Sequence, residues 1–292
     1  MCRMLAVIGR PGSAELDPYT HLVSAQHSLR SQCERAFVPP GNEPGHKDAW
    51  GVGWFDTDGR VSLIRESGAA SESPYYVFAS QVSGRDHAGS GPANVLIGHL
   101  RKAVSGAVNS ENAHPFRVTT PEGVSLLICH NGHVRDSALD SLRSDLRDAG
   151  LHGASTRDCD SAVLAEWLAL QIGDARDSDG IAAALAIAFD ELLARAHATD
   201  VPYEAYTGLN VLVASPYGLG VLRWFSRWAD YYTLWEYRSD DGFLVTSEPT
   251  HLTDRFRLIQ PGNFRWYTPD GELASSVLLS NAQLQQEPEV EA

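Results

Sequence analysis

The chain has 292 residues, 43% hydrophobic and 21% charged, an ordinary globular balance that excludes disordered, collagen-like and membrane-spanning proteins. Acidic residues outnumber basic ones by 37 to 23, and a net charge of −14 argues against a general binder of nucleic acid or of anionic membranes. A chain of roughly 300 residues can bury about three quarters of its unfolded surface. No repeat, linker or shift of composition divides it, so residues 2–280 read as one domain and the acidic stretch 281–292 as a flexible tail.

In chain order, Arg3–Gly9 reads as a buried strand. Leu22, Val23, Ala25 and Leu29 have the spacing of a helix over Asp17–Ser31. Proline and glycine punctuate a loop over Phe37–Asp48. Trp50–Phe55 and Val61–Ile64 read as a hairpin around Asp56-Thr57-Asp58-Gly59. A short helix over Pro74–Val82 and a glycine-rich loop over Gly84–Pro92 follow. Asn94–Leu100 and Val124–Cys129 read as strands, the second so continuously apolar that it belongs at the centre of a sheet. Three helices are expected over Asp136–Ala149, Asp160–Ile172 and Gly180–Ala198, the last apolar enough to lie between layers. Strands over Leu209–Ala214, Gly220–Trp224, Tyr231–Tyr237, Gly242–Thr246 and Asn263–Tyr267 close the chain as a meander. Strands, then helices, then strands do not make a doubly wound parallel sheet; antiparallel sheets with helices outside, an α+β fold, fit better.

The four cysteines, Cys2, Cys33, Cys129 and Cys159, form neither a C-x-x-C pair nor a disulfide framework. The apolar run Met4–Ile8 is too short for a signal segment or a membrane span, so a cytosolic protein is expected. Dinucleotide, Walker and G-x-S-x-G motifs are missing. Cys129, His130 and His133 suggest zinc only weakly: neighbours on a strand point to opposite faces, and no second ligand pair has closed-site spacing. No metal or cofactor is expected.

Four features carry chemistry. Cys2 would bear both a thiol and a free α-amine once Met1 is trimmed. An α-amine with a pKa of about 7.7–8.0 is partly neutral near pH 7 and can take the thiol proton without a histidine. His130-Asn131-Gly132 offers a side-chain amide and a glycine N–H, two donors of the kind a developing oxyanion needs, although it also reads as an ordinary Asn-Gly turn. Arg101, on one face with His99 at a strand end, can hold a carboxylate bidentately or make a surface ion pair. Asp160 before a helix can hold an ammonium or act as its N-cap. A carboxylate clamp beside an ammonium clamp describes the end group of an α-amino acid.

Taken together, these residues resemble the class II glutamine amidotransferases, whose nucleophile is an N-terminal cysteine. The resemblance rests on Met1-Cys2-Arg3, on Gly45-His46-Lys47-Asp48-Ala49-Trp50-Gly51-Val52-Gly53 and on Gly98-His99-Leu100-Arg101-Lys102-Ala103. It continues in Asn109-Ser110-Glu111-Asn112-Ala113-His114-Pro115-Phe116, His130-Asn131-Gly132, Cys159-Asp160-Ser161-Ala162 and Thr246-Ser247-Glu248-Pro249. It implies a four-layer αββα Ntn-hydrolase sandwich. It also implies that Cys2 attacks a γ-glutamyl amide, that Asn131 and Gly132 form the oxyanion hole, and that Arg101 and Asp160 grip the α-carboxylate and α-ammonium. His114 and Trp50 join the implied substrate-binding set.

The pattern is not followed throughout. Ala49 stands for a glycine, Val104 for a small polar residue, Cys159 for a threonine and Ala162 for a glutamate. The D-S-A form resembles the γ-glutamyl amidohydrolase of ergothioneine biosynthesis, and other stretches are similar to stand-alone bacterial amidotransferase-like proteins. The expected partner is therefore a small γ-glutamyl substrate, with no nucleic acid and no membrane. A homodimer, a synthase chain that receives ammonia, and a non-catalytic amino-acid-binding role stay open as alternatives.

Overall fold

The computed structural model describes residues 2–38, 43–84, 93–197 and 206–280. The described residues form thirteen strands: β1 Arg3–Gly9, β2 Ala49–Asp56, β3 Val61–Ser67, β4 Ala93–Arg101, β5 Phe116–Thr119, β6 Ser125–Val134, β7 Tyr206–Ser215, β8 Gly218–Arg223, β9 Trp235–Ser239, β10 Gly242–Thr246, β11 Phe256–Leu258, β12 Asn263–Tyr267 and β13 Leu273–Leu278. The helices are α1 Leu29–Arg35, α2 Pro74–Ser83, α3 Asp136–Asp148, α4 His152–Ser155, α5 Asp160–Ile172 and α6 Ser178–His197.

Sheet one has the order β11-β9-β10-β1-β4-β2-β3, and sheet two β13-β12-β8-β7-β6-β5. Neighbouring strands in both pair antiparallel. Three cores separate four layers. Leu5, Val7, Trp50 and Val52 of sheet one pack against Leu29 and Cys33 of α1 and Tyr76 and Ala79 of α2. Met4, Ala6, Ile8 and Ile97 meet Leu127, Leu212 and Val221 of sheet two between the sheets. Ile128, Val211 and Val213 pack outward on α3, α5 and α6. The strict alternation along β1, with 4, 6 and 8 inward and 5 and 7 outward, is the period-two rule of a strand buried on both faces. The result is the αββα sandwich expected from the sequence.

Several expectations need correction. The helix expected over Asp17–Ser31 is interrupted: a π-helical turn at Thr20–Ser24 ends where Ala25 turns extended, and α1 begins afresh behind Ser28. Ser28 caps it, its Oγ accepting from Ser31 N at 3.3 Å while donating to Val23 O. Helix α6 lies outside sheet two, not between layers, and Ile187 on its free face is 70% exposed. Tyr231–Leu234 is no strand; Tyr231 and Tyr232 form a buried aromatic knot with Phe225, and β9 starts only at Trp235. The C-terminal meander is split, because β9, β10 and β11 join sheet one while β8 and β12 stay in sheet two. Strands β5, β11 and β13 and the single-turn α4 went unread. Pro39–Gly41, most of the loop Gly84–Pro92 and the tail 281–292 lie outside the described residues. No helix among the described residues is long and apolar enough to cross a membrane.

Candidate active site

Three strands and the start of one helix meet at one end of the sandwich. Cys2 precedes β1, Arg101 ends β4, Asn131 and Gly132 lie late in β6, and Asp160 opens α5 just behind. The side chains facing inward along β4 are Val95, Ile97, His99 and Arg101, and along β6 Leu127, Cys129 and Asn131. The amidic motif is therefore not a turn after a strand. It is part of β6, which runs on through Val134, with a register shift between Gly132 and Val134 that re-aims the chain there. Cys129 faces the inter-sheet core while the ring of His130 turns to Ser161 on α5, so the two point apart as expected.

Asn131 is fully buried. Its Oδ1 accepts from Cys2 N at 2.9 Å, and its Nδ2 has no partner among the described residues. A buried amide NH₂ without an acceptor costs about 1–3 kcal/mol, which marks it as a donor waiting for a ligand. At Gly132 a Cβ would lie 1.8 Å from Gly208 O on the neighbouring strand, so only glycine allows β6 and β7 this close. His130 Nε2 donates to Gly208 O at 3.1 Å and its Nδ1 accepts from Ser161 Oγ at 2.9 Å. Burial lowers its pKa, against the pull of the Asp160 charge, so the ring is neutral.

Arg101 and Asp160 are joined by one residue. Arg101 Nη2 donates to Ser105 O at 2.6 Å and Nη1 to Ala107 O at 2.9 Å. Ser105 Oγ donates to Asp160 Oδ1 at 2.5 Å. Asp160 Oδ2 accepts from Val134 N at 2.8 Å and lies 3.1 Å from His133 Nδ1. Burial opposes the charge of Asp160, yet the hydrogen bonds and charges of His133, His130 and Ser105 hold its carboxyl below the usual carboxylate range. Asp160 is the first residue of α5 and not its cap, since Cys159 holds the cap position. The loop is anchored further by Asp48 Oδ2 on Ala103 N and Asp158 Oδ2 on Ala107 N. The Cys2 thiol sits 3.9 Å from Lys102 O at the loop's root.

His114 reaches this cleft, stacked on His99 at 4.0 Å, with neither ring nitrogen partnered among the described residues. Burial keeps both rings neutral. Trp50 does not reach it. It is fully buried on the helix side of sheet one, edge-on to Tyr76, because its neighbours Ala49 and Gly51 take the other face. The cleft itself holds about 20 Å³, room for about one water.

Residues that the reading of the sequence left out complete the site. Arg3 points to the other face of β1 from Cys2, yet its Nη1 donates to Cys2 O at 3.0 Å and its Nε to Glu248 Oε1 at 2.8 Å. It lies 4.3 Å from the centre of the Tyr231 ring. Ser105 and His133 also belong to it, His133 beside Asp160 and not as a zinc ligand. Arg3 and Glu248 did stand inside quoted motifs, which was the signal available.

The family described as class-II glutamine amidotransferases matches residues 27–192, more than half of the chain. The chain belongs to that family. The matched stretch contains Arg101, His114, Asn131, Gly132 and Asp160 and begins after Cys2. A putative glutamine amidotransferase of Haemophilus influenzae is 32% identical over 125 residues, 42% of this chain and 37% of that protein, so the match spans well under two thirds of the relative. Among solved structures, an allosteric regulatory enzyme of purine biosynthesis superposes with a TM-score of 0.59 at 17% identity, over 96% of this chain and 49% of the other. A glutamine aminotransferase class-II domain protein of Silicibacter pomeroyi does so with 0.55 at 21% identity, over 96% and 100%. Both likenesses are of fold. Membership of the class-II amidotransferases supports cleavage or transfer of a glutamine-type amide in general terms.

Proposed function

We propose that the protein hydrolyses the amide bond of a γ-glutamyl compound through a thioester on Cys2. The observation that carries this reading is the position of Ser105. Its carbonyl oxygen accepts from Arg101 and its hydroxyl donates to Asp160, which are the roles an α-carboxylate and an α-ammonium would take at those two partners. One residue thus bridges the two proposed clamps, and a glutamyl end would exchange with Ser105.

With Met1 removed, the α-amine of Cys2 takes the thiol proton, and Sγ attacks the γ-carbonyl. The oxyanion is held by Asn131 Nδ2, already oriented through its Oδ1 on Cys2 N, and by Gly132 N–H. Collapse expels the amine with that proton. Water then adds to the thioester, returns a proton to Cys2 and releases glutamate. Arg3 fixes the Cys2 carbonyl and so the approach of the thiol.

The test is glutamate release from a panel of γ-glutamyl amides, glutamine included, with Cys2→Ala as blank. Release by the protein alone, lost in the variant, is the expected result. Release from glutamine only, and only with a second chain added, would replace this reading with that of an ammonia-supplying subunit. Binding without any release would point to a non-catalytic amino-acid binder.

A further inference from the structure

Cys2 stands one residue before β1, whose pairing with β4 starts at Arg3 and Leu100. Two side chains hold its main chain instead. Asn131 Oδ1 accepts from its N–H at 2.9 Å, and Arg3 Nη1 donates to its carbonyl at 3.0 Å. The Arg3 guanidinium is buried, and its other nitrogens are committed: Nε donates to Glu248 Oε1 at 2.8 Å and Nη2 to Phe37 O. Its face covers the Tyr231 ring at 4.3 Å. Among the described residues Glu248 is the one carboxylate that forms an ion pair with it.

Glu248 reaches Arg3 through strand register. Thr246 pairs with Leu5, and Ser247 carries the pairing one residue past the end of β10. The Ser247 N–H donates to Met4 O at 2.9 Å, and its Oγ accepts from Met4 N at 2.9 Å. The next residue, Glu248, therefore falls opposite Arg3, where a cross-strand pair of opposite charges is favourable. Its carboxylate is tied from the far side as well. Oε1 also accepts from Phe37 N at 2.9 Å, and Oε2 lies 2.6 Å from His27 Nε2. Burial opposes its charge, yet the hydrogen bond of His27 and the charge of Arg3 hold its carboxyl below the usual carboxylate range. A carboxylate fixed from two sides fixes the fork of Arg3, and that fork fixes the carbonyl of Cys2.

We propose that Glu248 is a positioning residue for the nucleophile: acting through Arg3, it holds the Cys2 carbonyl and so sets where the thiol and the α-amine lie against the substrate. This rests on the reading of Cys2 as the nucleophile of a γ-glutamyl amidase. Glu248 itself belongs to neither proposed clamp. Arg101 and Asp160 meet at Ser105, away from the Arg3–Glu248 pair. Its loss should therefore act on kcat and leave KM alone.

The probe is glutamine, with glutamate release followed in the native protein, Glu248→Gln, Arg3→Met and the double variant, each shown to be folded by circular dichroism. Glu248→Gln should lower kcat by about 10–10²-fold, the scale of a misplaced reacting group, with KM unchanged. The double variant should be no slower than Arg3→Met alone, because a residue that acts through Arg3 has nothing left to act on. It also removes both charges together, which a buried pair tolerates better than the loss of one partner. Losses that add up in the double variant, or a fall in kcat/KM that lies in KM, overturn the role. Where Glu248→Gln alone does not fold, Glu248→Asp keeps the charge and withdraws the carboxylate by one methylene. Its kcat should then fall with KM unchanged, and an unaltered kcat overturns the role. Equal rates in native protein and Glu248→Gln overturn the positioning role and leave the amidase reading standing. No glutamate release by the native protein overturns the amidase reading itself, and this role with it.

Discussion

The space between the two sheets has an apolar middle and a polar end, and the same strands build both. In the middle β1, β4 and β6 point Ala6, Ile8, Val95, Ile97, Leu127 and Cys129 inward. At the end they point Cys2, His99, Arg101 and Asn131. Both groups are buried, so burial does not separate them. Partnership does. The middle is saturated by packing, whereas the end leaves Asn131 Nδ2, His99 Nδ1 and both nitrogens of His114 without partners among the described residues. A strand ladder holds these groups in place although each would be better off in water, at about 1–3 kcal/mol apiece. That is how a reactive site is kept preorganised: rigid elements carry polar groups that only a ligand can satisfy.

The comparison breaks most completely at Cys2. Cys2→Ala should abolish glutamate release while the fold, read by circular dichroism and melting, stays as it was. Turnover by that variant would end the proposed mechanism. Asn131→Ala should lower kcat by about 10²–10³, as for other single oxyanion donors, with a small change in KM. Leu127→Ala, four residues back along the same strand face, should do the reverse. It should cost about 2–5 kcal/mol of stability through the cavity left behind, read by urea unfolding, and keep kcat per folded molecule. If both variants lost stability and rate alike, the two regions would not be separate in function.

Much of this frame was legible. The bounds of β1 and α5 follow from apolar continuity and from the acid at the helix start, and the order of motifs pointed to the sandwich. What stayed hidden depends on long-range pairing. Arg3 and Glu248 lie 245 residues apart, and nothing local in either tells that they meet. Asn131-Gly132 resembles a turn because that dipeptide favours one; pairing with β7 overrides the preference and keeps it in the strand. Trp50 looked like a site residue from its motif, but strand alternation sends it to the helix side. Ser105 carries no signal at all, since its role arises only when the loop brings it between Arg101 and Asp160.

Arg101→Lys sharpens the comparison at a smaller scale. The guanidinium now serves Ser105 and Ala107 at once, and an ammonium cannot reproduce that fork. KM for a γ-glutamyl amide should rise about tenfold, with kcat less affected, in steady-state assays. An unchanged KM would remove Arg101 from the proposed carboxylate clamp.

The mildest change converts part of the polar end into the apolar middle. His114 stacks on His99, meets Phe116 edge-on, and satisfies neither ring nitrogen among the described residues. Burial, then the charges of His99, His130 and Arg101, push its pKa well below 6.5. Because the folded state refuses a proton that the unfolded chain accepts, its contribution is complete above about pH 6.5 and declines as the pH falls below that value. His114→Phe keeps the ring and removes the titration. The slope of unfolding free energy against pH between 6.5 and 5 should flatten by the one proton that His114 no longer takes up on unfolding, while stability at pH 8 holds or rises slightly. Chemical unfolding at a series of pH values reads both. A slope unchanged from the native protein would mean that His114 has a proton or a partner in the folded state, and the polar end would then be better satisfied than its geometry indicates.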